Sequence, residues 1–547
     1  MPNDAAAPVR NYDVVIVGAG FGGMYMLHRL RLLGLAARVF EAGSSVGGTW
    51  YWNRYPGARC DVESMQYSFG FSDAIQQEWK WSELFSGQPE ILRYANFVAD
   101  KLDLRRDISF DTRVQSADWD AAAQGWTVGT DRGEVVMARH VVMATGCLSS
   151  SRMPDIAGRA RFAGRVFHTG EWPHEGVDFS GQVVAVIGTG SSAIQAIPVI
   201  ARQAKHVYVF QRTPNFSIPS RNGPMTPAYE AEWKGDYASR RAEARRMRSG
   251  VVAPLNDKSA LADTEAARRE NYEARWERGG TYFMQAYNDL ALDKASNDTA
   301  VAFVHEKIRG IVKDPKVAAK LLPTNHPIGT KRICVDTDYY ETFNRANVTL
   351  VDLLETPIRE ITAAGLETSG ASYAFDAMVF ATGFDAMTGT LLRIDIHGRD
   401  GATLREAWAA GPQTYLGLMT AGLPNMFMIT GPGSPSVLSN MIVSIEQHVD
   451  WVAACVAWMR ANGQAAIEAD PAAQAAWVAH VNEVAHRTLY PQANSWYMGA
   501  NIPGKPQVFM PYIGGVGAYR EKCDAVAAAG YEGFRLTAAR EAVRAAE

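Results

Sequence analysis

Asp13-Val-Val-Ile-Val17 is a short β-branched apolar run, the pattern of a buried strand, and it enters Gly18-Ala-Gly20-Phe-Gly-Gly23. Helically spaced apolar positions continue through Leu33, and a second strand-like run, Ala37-Arg-Val-Phe40, ends at Glu41. The same order recurs farther on. Val183-Val-Ala-Val-Ile187 enters Gly188-Thr-Gly190-Ser-Ser-Ala193, and a new strand, Val207-Tyr-Val-Phe210, ends at Gln211-Arg212. Two more segments read as a strand followed by Ala-Thr-Gly, one from His140 to Gly146 and one from Ala377 to Gly383. Between Arg221 and about Pro327 the pattern becomes helical and highly charged, as in Tyr237-Ala-Ser-Arg-Arg-Ala-Glu-Ala-Arg-Arg246, which predicts solvated helix faces. The last third contains a Gly/Pro/Ser turn, Gly431 to Ser436, and ends in Ala-rich helical sequence.

Strand, glycine turn, helix and strand ending on an acid is the dinucleotide-binding arrangement. Gly18 permits the tight turn, Gly20 lets the backbone approach a pyrophosphate, and Gly23 lets helix pack closely on strand. Glu41 would accept hydrogen bonds from a ribose. In the second unit Gly188, Gly190 and Ala193 take the glycine positions, but the terminal acid is replaced by Gln211-Arg212. A guanidinium with no carboxylate beside it favours a 2′-phosphate, hence NADP over NAD. The predicted fold is α/β, with two Rossmann-like dinucleotide-binding domains and a mainly helical insertion, 221–327, in the second. The Ala-Thr-Gly strands carry the chain out of the first domain and back, so the first comprises 1–147 and 385–547 and the second 148–384. FAD with NADP is the chemically useful pair, since hydride passes from one to the other.

A chain of 547 residues has room for several cores. With 54 Lys plus Arg against 58 Asp plus Glu, it lacks the basic excess of a nucleic-acid binder. Five cysteines without CxxC spacing suggest neither a disulfide framework, nor a metal site, nor a disulfide-reductase centre. No signal-peptide pattern opens the chain, and the apolar run Trp451–Met459 is half of what a bilayer requires. The expectation is a cytoplasmic protein with no membrane partner; nothing in the sequence specifies an oligomer.

The segment Phe162-Ala-Gly164-Arg-Val-Phe-His168-Thr-Gly-Glu-Trp172-Pro173 resembles the FxGxxxHxxxWP signature of type I Baeyer–Villiger monooxygenases at every fixed position. Gly47-Gly-Thr-Trp50-Tyr-Trp-Asn-Arg-Tyr-Pro56-Gly-Ala-Arg59-Cys-Asp61 resembles a second family segment, and the likeness is nearest to the phenylacetone and steroid monooxygenase branch. The resemblance implies that NADPH reduces FAD, that O2 adds to the reduced flavin, and that the C4a-peroxide attacks a ketone. The tetrahedral adduct then rearranges to an ester or lactone; sulfide oxidation is a further activity that the resemblance allows. The partner so implied is a small hydrophobic ketone.

The resemblance also distributes roles. Arg332, in Gly329-Thr-Lys331-Arg332, and Asp61 are the catalytic pair, Arg332 being a cation that cannot lose its proton. Thr49, Trp50, Asp61, Tyr67 and Val114 fall where the family contacts FAD, Arg212 and Thr213 where it contacts NADP, Lys331 near the adenosine phosphate and Arg332 over the flavin. Trp496 corresponds to a loop tryptophan that closes on the nicotinamide ribose. His168 has a role in coupling the domains rather than in general base catalysis, with Phe162, Gly164, Trp172 and Pro173 shaping that linker. Cys147, Ser436, Val437, Leu438 and Met441 line the substrate pocket, Met441 also touching cofactor. Cys147 stands where the near branch commonly has glutamine.

Overall fold

The computed structural model describes residues 10–539. Arg10–Val17 (β1), Ala37–Phe40 (β2) and Val135–Met143 (β3) form the centre of an eight-stranded sheet, with helix Phe21–Leu32 (α1) crossing between β1 and β2. β1 lies between β2 and β3, parallel to both, with Ile16 opposite Val39 and Val142. β3 changes partner along its length: its first half pairs antiparallel with Gly125–Thr130, its second half parallel with Met426–Met428. Strand Asp395–His397 joins the same sheet, so the chain returns to it after a long excursion.

The excursion builds a five-stranded parallel sheet. Its strands are Arg165–His168 (β4), Val183–Ile187 (β5), His206–Gln211 (β6), Val348–Asp352 (β7) and Ala377–Phe380 (β8), in the order β7-β6-β5-β8-β4. Helix Ser191–Gln203 (α2) crosses between β5 and β6 and buries Ile194, Ile197 and Ile200. The two glycine turns close in the same way. Gly18 has φ +101° and Gly188 φ +112°, and a Cβ on either would lie 2.7 Å from the Ala144 carbonyl oxygen or 2.5 Å from that of Ala381. Each Ala-Thr-Gly segment thus packs its alanine carbonyl on the first glycine of one turn, a close approach that only glycine permits.

The segment 221–327 is helical, with Pro227–Gly235 (α3), Tyr237–Ala244 (α4), Glu265–Arg278 (α5), Lys294–Ile311 (α6) and Pro315–Leu321 (α7). Its packing is divided, whereas the sequence reading placed all of it in the second domain. α3 and α4 bury Trp233 and Tyr237 in the core that contains β1, β2 and α1. α5 to α7 bury Tyr272, Trp276, Phe303 and Leu321 in the core of the second sheet. Arg241 of α4 is buried and donates to Met65 O, Gln66 O, Ser68 Oγ and Gln76 Oε1 at 2.7–3.2 Å, which fixes the first part. Charge runs show which helix face is solvated, not which sheet lies opposite.

The apolar run Trp451–Met459 belongs to Met441–Ala461 (α8), much of which is buried. Near the C-terminus, helix Val516–Ala528 is followed by a strand, Phe534–Ala538; the final Ala-rich stretch lies outside the described residues. Among the described residues no helix is long and apolar enough to cross a membrane.

Candidate active site

A continuous cleft of about 1790 Å³ runs between the sheets, past both glycine turns. A pocket for one small molecule holds about 300–1,000 Å³, so this cleft has room for more than one ligand. Gly18, Gly20, Glu41, Thr49, Trp50, Asp61, Tyr67 and Val114 lie on its wall toward the first sheet. Gly188, Gly190, Arg212, Thr213, Lys331 and Arg332 lie on the wall toward the second. Gly23 and Ala193 do not reach it. A Cβ on Gly23 would lie 1.8 Å from Gly18 O, so its role is helix-to-strand packing.

The first wall offers an anion cradle and an acid. Gly20 and Gly48 face each other across the turn, a Cβ on Gly48 coming within 2.8 Å of Gly20 Cα. The Glu41 carboxylate accepts from Ala19 N at 2.6 Å and Gly43 N at 2.7 Å, and its remaining lone pairs can still accept from hydroxyls. Trp50 Nε1 donates to Tyr67 Oη at 3.1 Å, which fixes both rings.

On the second wall, space is open above Gly190 at the N-terminus of α2, where backbone N–H groups suit phosphate. Thr189 Oγ1 donates to Thr213 O at 2.7 Å, tying this turn to Arg212-Thr213. Burial and then the Arg212 charge lower the ammonium pKa of Lys331. Among the described residues neither cation has a carboxylate partner. Two adjacent unpaired cations fit a phosphate better than any neutral group.

Arg332 pairs with Asp61 across the cleft through Nη2 and Oδ2. Asp61 is almost inaccessible, with 7% of its side chain exposed, while 39% of the Arg332 side chain faces the cleft. Burial pushes the Asp61 carboxyl up, with Arg332 opposing; the nearby carboxylate raises the guanidinium pKa, so Arg332 stays charged. The loop carrying it is held by a residue with no motif. Asn297, fully buried in α6, donates to Ile328 O at 2.9 Å and accepts from Ile328 N at 3.0 Å. Beyond Arg332, strand Cys334–Asp336 pairs in parallel with Ser217–Pro219. The sequence signal for Asn297 was slight: one amide on an apolar helix face.

The signature segment is mainly structural. His168 ends β4 opposite Phe380, is buried, and accepts from Gly170 N through Nδ1 at 3.0 Å, while Nε2 faces Thr382 Oγ1 at 3.5 Å. Burial lowers its pKa, so it is neutral, and it does not reach the cleft wall. Its contacts run to the Ala-Thr-Gly383 segment instead. Phe162 packs on Phe375 with centroids 5.3 Å apart, and a Cβ on Gly164 would lie 2.4 Å from Asp376 O. Trp172 is buried against Phe167, and it reaches the cleft together with Pro173.

Cys147, Val437, Leu438, Met441 and Trp496 line an apolar part of the cleft, backed by Met387 and Met510. Ser436 is not on the wall. It is fully buried with φ +42°, and its hydroxyl lies 3.0 Å from Cys147 Sγ, which also donates to Thr430 O at 3.2 Å. Tyr497, missed in the sequence beside the more conspicuous Trp496, is buried in the cleft wall, and its phenol is close enough to feel the Arg332 charge.

Two glycine turns, one acid-ended and one base-ended, facing each other across one cleft define a flavoprotein of the two-dinucleotide class. A family model described as pyridine nucleotide-disulphide oxidoreductase matches residues 15–232. All five cysteines are free and buried, so the likeness is one of nucleotide-binding fold rather than of a disulfide centre. A Baeyer–Villiger monooxygenase of Pseudooceanicola batsensis is 43% identical over 528 residues, 95% of each chain. A phenazine N-monooxygenase, PhzNO1, of Lysobacter antibioticus is 42% identical over 530 residues, 96% of this chain and 97% of its own. The solved structure of an oxidised steroid monooxygenase bound to NADP superposes with a TM-score of 0.93 at 54% identity, covering 96% of this chain and all of that one. The chain belongs to the Baeyer–Villiger monooxygenase family.

Proposed function

We propose that the chain is an FAD-dependent, NADPH- and O2-consuming monooxygenase that converts hydrophobic ketones to esters or lactones. The observation that carries this reading is Arg332, a permanent cation held by a buried carboxylate on the wall between the two dinucleotide cradles. Bound there, FAD would supply the hydride acceptor for NADPH and the reduced centre that activates O2. The chain's own part is to bind, orient and exclude water. Gly18, Gly20, Glu41, Trp50 and Tyr67 hold FAD, with 1–147 and 385–547 as its domain. Gly188, Gly190, Arg212, Thr213 and Lys331 would hold NADP within 148–384, with Trp496 on the cleft wall as the residue that would close over it. Arg332 stabilises negative charge where oxygen is transferred, and Asp61 sets its position. Val437, Leu438, Met441 and Cys147 give the ketone a dry, apolar pocket, which limits loss of activated oxygen to water. A cytoplasmic location suits this cofactor supply.

The test is product mass after incubation with NADPH, O2 and a panel of aryl, cyclic and linear ketones. A gain of one oxygen atom, with one NADPH consumed, is expected. The phenazine relative motivates a second reading, oxygenation of a heteroaromatic nitrogen or a sulfide. N-oxide or sulfoxide formation with no ester from any ketone would favour it.

A further inference from the structure

One residue outside the Asp61–Arg332 pair joins the two domains through three hydrogen bonds. Gln195, half-buried in the second turn of α2, reaches across to the segment that leads into Asp61. Its Oε1 accepts from Tyr55 Oη at 2.9 Å and from Arg59 N at 3.3 Å, and its Nε2 donates to Arg59 O at 3.1 Å. Only this amide orientation satisfies all three bonds. The backbone of the same helix residue presses on the same segment: Gly57 has φ +82°, and a Cβ there would lie 2.3 Å from Gln195 O. Arg59 is held from both sides, since its guanidinium pairs with Glu83 of the first domain while its peptide groups are taken by Gln195.

Arg59 precedes Asp61 by two residues, and α2 begins at the glycine turn that receives the NADP pyrophosphate. A continuous bonded path therefore runs from the start of α2 through Gln195 and the Arg59 backbone to Asp61 and Arg332. We infer that Gln195 is a positioning residue that transmits the placement of α2 to the Asp61–Arg332 pair. This rests on the function proposed above only in its kinetic consequences; the contact itself does not depend on it. A side chain of the same length without hydrogen-bonding groups would leave the fold packed and the path broken.

The experiment uses Gln195→Met, which removes all three bonds, and Tyr55→Phe, which removes one and guards against a folding failure of the first. Amide hydrogen exchange is followed in the segment Tyr55–Asp61, without NADP. Loss of Gln195 should speed exchange at the Arg59 amide by about tenfold, with Tyr55→Phe intermediate. Rapid-reaction measurements then follow flavin reduction by NADPH in wild type, Gln195→Met, Asp61→Asn and the double variant. Gln195→Met should slow reduction by roughly tenfold with the KM for NADPH little changed, and the double variant should be no slower than Asp61→Asn by more than about twofold. Unchanged exchange at Arg59 would overturn the contact. Multiplicative slowing in the double variant would overturn transmission through Asp61. A raised KM for NADPH with normal maximal rate would make Gln195 a coenzyme ligand instead and overturn the positioning role. If wild type made no ester from any ketone, the proposed function would fail while the exchange result still decided this inference.

Discussion

Replacing Arg332 by alanine should separate oxygen transfer from flavin reduction. A unit charge at ~4 Å in an effective dielectric of ~20 favours an anion by about 4 kcal/mol, or about three pKa units. Two features of the structure lower that figure. Solvent reaches the 39% of the Arg332 side chain that is exposed, and Asp61 makes the pair neutral overall, so the cleft feels an oriented dipole more than a bare charge. About 3 kcal/mol is the fairer magnitude, a loss in ester formation on the order of 100-fold to 1,000-fold. Flavin reduction depends on NADPH placement, mostly set elsewhere, and should slow by no more than about tenfold.

Asp61 supplies the control. In Arg332→Ala its buried carboxyl, already pushed up by desolvation, loses the opposing charge and is pushed up further, which disfavours a stray anion there. In Asp61→Asn the cation remains but is unanchored. If charge alone mattered, this variant would oxygenate as well as wild type; if position matters, both half-reactions fall by about tenfold, which is the outcome expected here. Arg332→Lys keeps charge without the planar fork and should resemble Arg332→Ala. The assay is anaerobic stopped-flow reduction, then mixing with O2 and ketone, with ester and hydrogen peroxide both quantified. Wild-type ester yield from Arg332→Ala would refute the reasoning.

NADPH should exceed NADH by about a hundredfold in kcat/KM, because Arg212 and Lys331 each add a charge-assisted bond of roughly 1.5–3 kcal/mol; comparable values for the two coenzymes would remove the phosphate site. Val437→Gly and Leu438→Ala should change the ketone profile more than ketone-free NADPH oxidation, whereas Ser436→Ala should act mainly on stability, since that hydroxyl faces Cys147 and not the cleft; kcat/KM across a ketone panel, with thermal melts, checks both. Asp336, buried with Ser217 and Tyr339 N as partners and the acids Asp338 and Glu341 nearby, has its carboxyl pushed up to about 7. Between an unfolded value of about 4 and that folded value the native state binds the extra proton, so this group's contribution to stability falls as pH rises through that window. Asp336→Asn should flatten the fall in melting temperature between pH 5 and 8, and an unaltered slope would discount the group.

How much of this was legible in the sequence follows from what each feature depends on. Both glycine turns and their strands were readable because they are local: β1, β2, β5 and β6 lie within a residue or a few of the periodic runs. The base at the end of β6 was readable because one residue type at one position carries the meaning. The Ala-Thr-Gly segments were seen as strands, but their packing against Gly18 and Gly188 depends on sheet order, which no local pattern encodes. Asn297 and Gln195 were invisible for the same reason. An amide on a helix acquires a role only from the backbone it meets, and those backbones lie 31 and 136 positions away. Ser436 shows the converse: the resemblance put it on the substrate pocket, but it lies behind the wall with φ +42° and its hydroxyl against Cys147 Sγ, a burial that the turn's residues do not announce.

The divided insertion bears on why the Arg332 cation sits so far along the chain from Asp61. Arg332 follows the insertion and is fixed to the second core by Asn297 behind it and by the Ser217–Pro219 strand ahead of it. Asp61 belongs to the first core, on the segment that Arg241 of α4 grips through Met65 and Gln66. The chain therefore leaves the second sheet at β6, docks α3 and α4 on the first, returns through α5 to α7 to the second, and only then delivers Arg332. One strap spans both partners of the ion pair. A shift of one sheet relative to the other would load the connection between α4 and α5, whose residues Met247, Ser249 and Asn256 line the cleft. The separation of Arg332 from Asp61 and the shape of the cleft wall are thus set by the same stretch of chain, so the cation's position and the enclosure of the site change together.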